Sequence, residues 1–131
     1  MPVLSHWSDA WLGRPYVAGE RDCGYYAAQI LRTEFGRQIE IPGERRPGPF
    51  GRCAQLAERL AAAVVRVEQP AEGDIVLMRC AGRLQHVGVY TEIRGASYVV
   101  HALESLHQVQ RHRLIDLPYL NCQLEGFYRC N

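Results

Sequence analysis

Asp22-Cys-Gly-Tyr-Tyr-Ala-Ala-Gln-Ile-Leu-Arg-Thr-Glu-Phe-Gly36 is the stretch that decides how this chain folds. Asp22 stands where a helix N-cap belongs, because its side-chain oxygen can accept from the backbone N–H groups of a first turn. Cys23, Tyr26, Ala27, Ile30, Leu31 and Glu34 follow at helical spacing, and only the last is polar. One face of a helix from about Cys23 to Phe35 is therefore apolar. Gly36 is the expected stop. Upstream, Met1 to Asp22 reads as a short helix and then a loop punctuated by Gly13, Pro15 and Gly19. Downstream, Pro42 to Gly51 reads as a loop, with three prolines and three glycines in ten residues. A second helix is expected from about Cys53 to Val64, with Cys53, Leu56, Ala57, Leu60, Ala61 and Val64 as its apolar stripe.

After Pro70 the apolar period falls to two. Asp74 to Met78, Gln85 to Tyr90 and Ser97 to Ala102 read as strands, with Val109 to Leu114 and Gly126 to Cys130 as weaker strands. Helices followed by an antiparallel sheet make the fold class α+β. The chain has 131 residues, 47% hydrophobic and 22% charged, which fits one domain over residues 1–131 with a real core.

The formal net charge of +1 points to neither a basic nucleic-acid surface nor an acidic tail. All 15 cationic residues are arginine, which excludes a catalytic lysine, a Schiff base and a P-loop lysine. The five cysteines are an odd number, so at least one thiol stays outside any internal disulfide. Met1 to Gly13 does not read as a secretion signal, and Leu60 to Val65 is too short an apolar run to cross a bilayer. Synthesis and folding in a reducing cytosol is the expectation, with no membrane insertion and with disulfides the less favoured use of cysteine. Cys53, Cys80, Cys122 and Cys130 include no C-x-x-C pair and read as structural thiols, with no metal site implied.

Cys23 falls at the first turn of its helix, where the helix N-terminus favours a thiolate. A lone cysteine on an apolar helix face is more often a small core residue, so the thiol needs partners before it means chemistry. Two histidines supply them. A loop of six residues, Thr91 to Ala96, would set Tyr90 opposite Ser97, Gly88 opposite Val99 and His86 opposite His101. Opposed residues in an antiparallel pair share a face, with Cβ atoms roughly 4.5–5.5 Å apart. One imidazole could then act as base to the thiolate while the other fixes its tautomer.

These blocks carry a resemblance. Trp11-Leu-Gly-Arg-Pro-Tyr16 and Gly19-Glu-Arg-Asp-Cys23 resemble the N-terminal block of the NlpC/p60 cell-wall cysteine peptidases. Gly73-Asp-Ile-Val-Leu-Met78, Gln85-His-Val-Gly-Val-Tyr90, Val99-Val-His-Ala102 and Gly126-Phe-Tyr-Arg129 resemble the later blocks of that family, in the same order. The resemblance implies a reduced papain-like fold in which Cys23 is the nucleophile, His86 the general base and His101 its orienter. It also implies Tyr16, Asp22 and Gly24 as residues beside the substrate or the oxyanion, Asp22 chiefly as a helix cap. Arg14 and Arg21 are the cations nearest the site in sequence. Gly24-Tyr25 departs from the Ser-Gly that commonly follows the family's cysteine.

The substrate implied is the peptide stem of bacterial peptidoglycan, cut between D-γ-glutamyl and a diamino acid. A cofactor is not implied. The compact size resembles tail-associated versions from phages or phage-like particles, with tail-tip or hub proteins as partners. The competing readings are a papain-like amidase or acyltransferase, and a non-catalytic structural part of a tail tip.

Overall fold

The computed structural model describes residues 5–41, 64–81 and 84–130. Helix α1 spans Cys23–Phe35, as its sequence pattern predicts. The Asp22 carboxylate accepts the Tyr25 N–H at 3.0 Å, and Gly36 ends the helix in the left-handed region with its N–H bonded to the Leu31 carbonyl. The short N-terminal helix is one 3-10 segment, Trp7–Trp11.

Among the described residues, six strands form one antiparallel sheet: β1 Val64–Val67, β2 Ile75–Cys80, β3 Leu84–Ile93, β4 Ala96–Leu103, β5 Gln108–Arg113 and β6 Cys122–Cys130. Their order is β1-β6-β2-β3-β4-β5, which confirms the α+β class with the helix packed on the sheet. Sequence reading expects five of these strands and places Val64 at the end of a second helix. Val64 instead opens β1, opposite Cys130 of β6. Three of the four β1 residues are valine, whose branched side chain suits a pleated strand. The rest of that expected helix, Cys53 included, and the loop expected over 42–51 lie outside the described residues.

Each face of the sheet has its own cover. Ile30 and Leu31 of α1 pack in one core with Val87, Val89, Val100 and Ala102. Val76, Met78, Tyr90, Val99 and Leu103 form a second core with Leu117 of the 3-10 helix Leu114–Leu120. The strands alternate between the two, which is why the central ones read as nearly continuous apolar runs.

The β3–β4 connection is tighter than expected. The strands run on to Ile93 and Ala96, and only Arg94 (φ 52°) and Gly95 (φ 80°) turn the chain. Two consecutive positive φ angles make the two-residue hairpin turn whose twist matches that of paired strands. The register is therefore Tyr90 opposite Val99 and Glu92 opposite Ser97, two residues away from the expected one. A shift of two preserves faces. The Tyr90 hydroxyl still reaches Ser97 Oγ, at 2.8 Å.

An ion pair ties the sheet together. The fully buried Asp74 carboxylate accepts from Arg129 Nε at 2.9 Å, from Arg129 Nη2 at 2.8 Å and from the Ala71 N–H at 2.7 Å. Its carboxylate raises the Arg129 guanidinium above its usual value. The Asp74 carbonyl also accepts from the Tyr90 N–H at 2.8 Å, so one residue links the start of β2 to β3 and β6. This contact joins the Gly73-Asp74 block to the Tyr128-Arg129 block.

One cysteine expectation is corrected. Cys80 and Cys122 form a disulfide. They are register partners on β2 and β6, with Cα atoms 4.1 Å apart, a closeness that only strand pairing creates. Cys130 is outside the disulfide, and burial raises its thiol above the usual range.

β4 leaves no room for a side chain at Gly88. A Cβ there would lie 2.5 Å from Val99 Cγ2 and 2.9 Å from both His101 Cβ and the Val100 carbonyl oxygen. We expect Gly88→Ala to cost about 1–3 kcal/mol, the usual range for overpacking. Urea denaturation against the parent protein measures it, and an unchanged midpoint would mean that β4 yields freely at this point.

Candidate active site

His86, His101 and His112 stand on three adjacent strands, β3, β4 and β5. His86 is the register partner of Met78, and His112 that of Val99, both members of the second core. The three rings form a row across these strands. His86 Nε2 lies 2.8 Å from His101 Nδ1, and His101 Nε2 lies 2.9 Å from His112 Nδ1. His86 and His101 are almost wholly buried, and His112 is half-buried. Sequence reasoning pairs His86 with His101 and misses His112. A signal for His112 exists, since Gln108, Gln110 and His112 alternate with Val109 and Arg111 along β5. Which row they join depends on pairing across the Glu104–Leu106 turn, which no local pattern reveals.

The two-residue correction of register explains how His86 and His101 meet. The hydrogen-bonded ladder between β3 and β4 covers Val89–Ile93 against Ala96–Val100 and stops there. His86 and His101 lie just past that end, diagonal to each other instead of directly opposed. Gly88, which has no side chain, stands between them on the same face. Diagonal neighbours are within reach of long side chains.

The structure places Cys23 as the first residue of α1, buried, in the core cluster that also contains Val87 and Ala102. Those two are the chain neighbours of His86 and His101. Asp22 is the N-cap, in agreement with its expected role, and Gly24 is buried in the first turn. Tyr16 is held by its backbone. Its N–H donates to the His107 carbonyl at 2.9 Å, while Gly13 and Arg14 bond to Val109, so this segment runs along the edge of β5. The Tyr26 hydroxyl donates to the Pro15 carbonyl at 2.6 Å, fixing that segment against α1. Arg14 stacks on Trp11, 4.1 Å from the ring centre, and is exposed, as is Arg21.

Burial, followed by the neighbouring His86 and His112, holds His101 well below the ordinary histidine value of 6.5. Burial also lowers His112, against an opposing pull from the Asp116 carboxylate. The folded protein thus keeps these rings neutral at a pH where the unfolded chain would protonate them. Below the unfolded value the unfolded state binds more protons, so stability falls as pH falls. We expect the urea midpoint to be flat above pH 6.5 and to drop below it. His101→Gln should be less stable at neutral pH but flatter down to about pH 5. An equally steep acid loss in that variant would place the responsible protons elsewhere.

Comparison with protein families places these features in a known group. The NlpC/P60 family model matches residues 13–124. Comparison with curated proteins finds no match. The matched span takes in Tyr16, the capped start of α1, Asp74 and all three histidines of the row. The chain belongs to the NlpC/P60 family, which implies a cysteine peptidase that hydrolyses peptidoglycan.

Proposed function

We propose that this protein is an endopeptidase of the peptidoglycan stem, cutting between D-γ-glutamyl and a diamino acid, with Cys23 as nucleophile, His86 as general base and His101 as its orienter. The observation that carries this reading is the buried His86–His101 contact of 2.8 Å at the place where the β3–β4 ladder ends. The position of Cys23 at the N-terminus of the helix packed on those two strands supports it further.

With Nε2 of His86 bonded to His101, Nδ1 is the nitrogen that takes the thiol proton. The thiolate attacks the amide carbonyl, a C–S bond forms, and the carbonyl π electrons move onto oxygen. The backbone N–H groups of Cys23 and Gly24, at the positive end of α1, would stabilise that oxyanion, with Tyr16 beside them. As the intermediate collapses, the C–N bond breaks and the His86 imidazolium protonates the leaving amine. Water then attacks the thioester, His86 takes its proton, and the C–S bond breaks to release the acid and restore the thiol.

The exposed guanidinium groups of Arg14 and Arg21 would meet stem carboxylates. The setting we propose is a phage or phage-like tail that carries the enzyme to the wall. That part rests on the resemblance to tail-associated versions of the family, and the presence of the protein in purified particles tests it.

Mass analysis of peptides released from purified sacculi tests the activity and identifies the bond. Cys23→Ala should abolish release while keeping the parent's circular dichroism. His86→Ala should come close to that. His101→Ala should retain more, with a loss of roughly 10²–10⁴-fold, because an orienter is removed and the base stays. Equal products from parent and Cys23→Ala would defeat the catalytic reading in favour of a structural one. Free sugar-linked ends would indicate an amidase.

A further inference from the structure

His112 is the one ring of the row that the proposed chemistry leaves without a role. Its position sets a condition on the other two. Each of the contacts, His86 Nε2 to His101 Nδ1 and His101 Nε2 to His112 Nδ1, needs one proton between two nitrogens. A neutral imidazole carries a single proton, so only two arrangements satisfy both contacts.

In the first, His112 donates from Nδ1, His101 donates from Nδ1, and the proton of His86 must then sit on its own Nδ1. A neutral His86 in that form cannot accept a proton at Nδ1. In the second, His86 donates from Nε2, His101 donates from Nε2, and His112 accepts at Nδ1 with its own proton on Nε2. His86 then presents a basic Nδ1. The second arrangement also survives the proton transfer, because an imidazolium at His86 still donates from Nε2 to an accepting His101 Nδ1. His101 is buried and disposed to remain neutral, so it cannot satisfy both neighbours by taking a second proton. The choice between arrangements therefore rests at the outer end of the row.

We propose that His112 is a positioning residue which, by accepting the Nε2–H of His101 at Nδ1, locks the row in the tautomer that makes His86 Nδ1 the base. The proposal rests on the Cys23–His86 reading given above. The groups that act on His112 are His101 from β4 and Asp116 from the 3-10 helix Leu114–Leu120. Burial outweighs the pull of the Asp116 carboxylate and favours the neutral ring, whose one proton can sit on the outer nitrogen and meet solvent.

The test compares His112→Asn, whose side-chain oxygen can accept from His101, with His112→Ala, which offers no acceptor. His112→Phe fills the space without an acceptor and replaces the alanine variant should that one not fold. Nitrogen NMR of the histidine rings in the full chain should show His101 protonated on Nε2 in the parent and in His112→Asn. Both tautomers should be populated in His112→Ala or His112→Phe. On sacculi, the variants without an acceptor should lose kcat by about tenfold, less than removal of the direct orienter, with KM nearly unchanged. The asparagine variant should recover most of it.

His101 protonated on Nδ1 in the parent overturns the proposal. So does an asparagine variant no better than alanine, or an alanine variant with unchanged kcat and unchanged tautomer. The ring measurement needs no turnover, so it separates a failure of this proposal from a failure of the peptidase reading, which Cys23→Ala reports.

Discussion

The two-residue turn at Arg94-Gly95 sets the register of β3 on β4, and the arrangement of the site follows from that register. With Tyr90 opposite Val99, His86 and His101 lie past the end of the paired ladder and approach each other diagonally. The same register brings Gly88 so close to β4 that a methyl group does not fit, and the separate pairing of β4 with β5 sets His112 in the row. A one-residue slip would turn each histidine of a strand to the other face.

The row is held by the sheet and not by charge. His86 and His101 are buried, and burial holds the His101 ring well below the ordinary histidine value. Charge is used elsewhere. The Asp74–Arg129 pair fastens β2 to β6, and the Asp74 backbone fastens the same point to β3. The disulfide between Cys80 and Cys122 closes the other end of the β2–β6 pair. β2 and β6 are thus joined near both ends, and β3, which carries His86, pairs with the whole of β2 through Leu84 to Val89.

Much of the helix was legible from the chain alone. Asp22 and Gly36 are local signals, and the apolar stripe between them has one period, so Cys23–Phe35 could be read without knowing what it packs against. The positions of β2 to β6 were legible to within a few residues for the same reason. β1 was not, because Val64 also completes a helical stripe and only β6 decides between the two states. The hairpin register is not legible because Arg94 is not a residue that announces a positive φ, so the connection reads as longer than it is. The His86–His101 meeting survived that error because the register error was an even number of residues.

Local signals in the chain suffice for the class of fold, the capped start of α1 and the types of residue available for chemistry. These depend on periodicity and on contacts within a few residues. The assembled sheet is needed to show which cysteines pair, that Asp74 meets Arg129, and that a third histidine completes the row. Each of those joins residues from different strands, and which strands lie side by side is settled by packing of the whole sheet, a property that no local stretch of the chain carries.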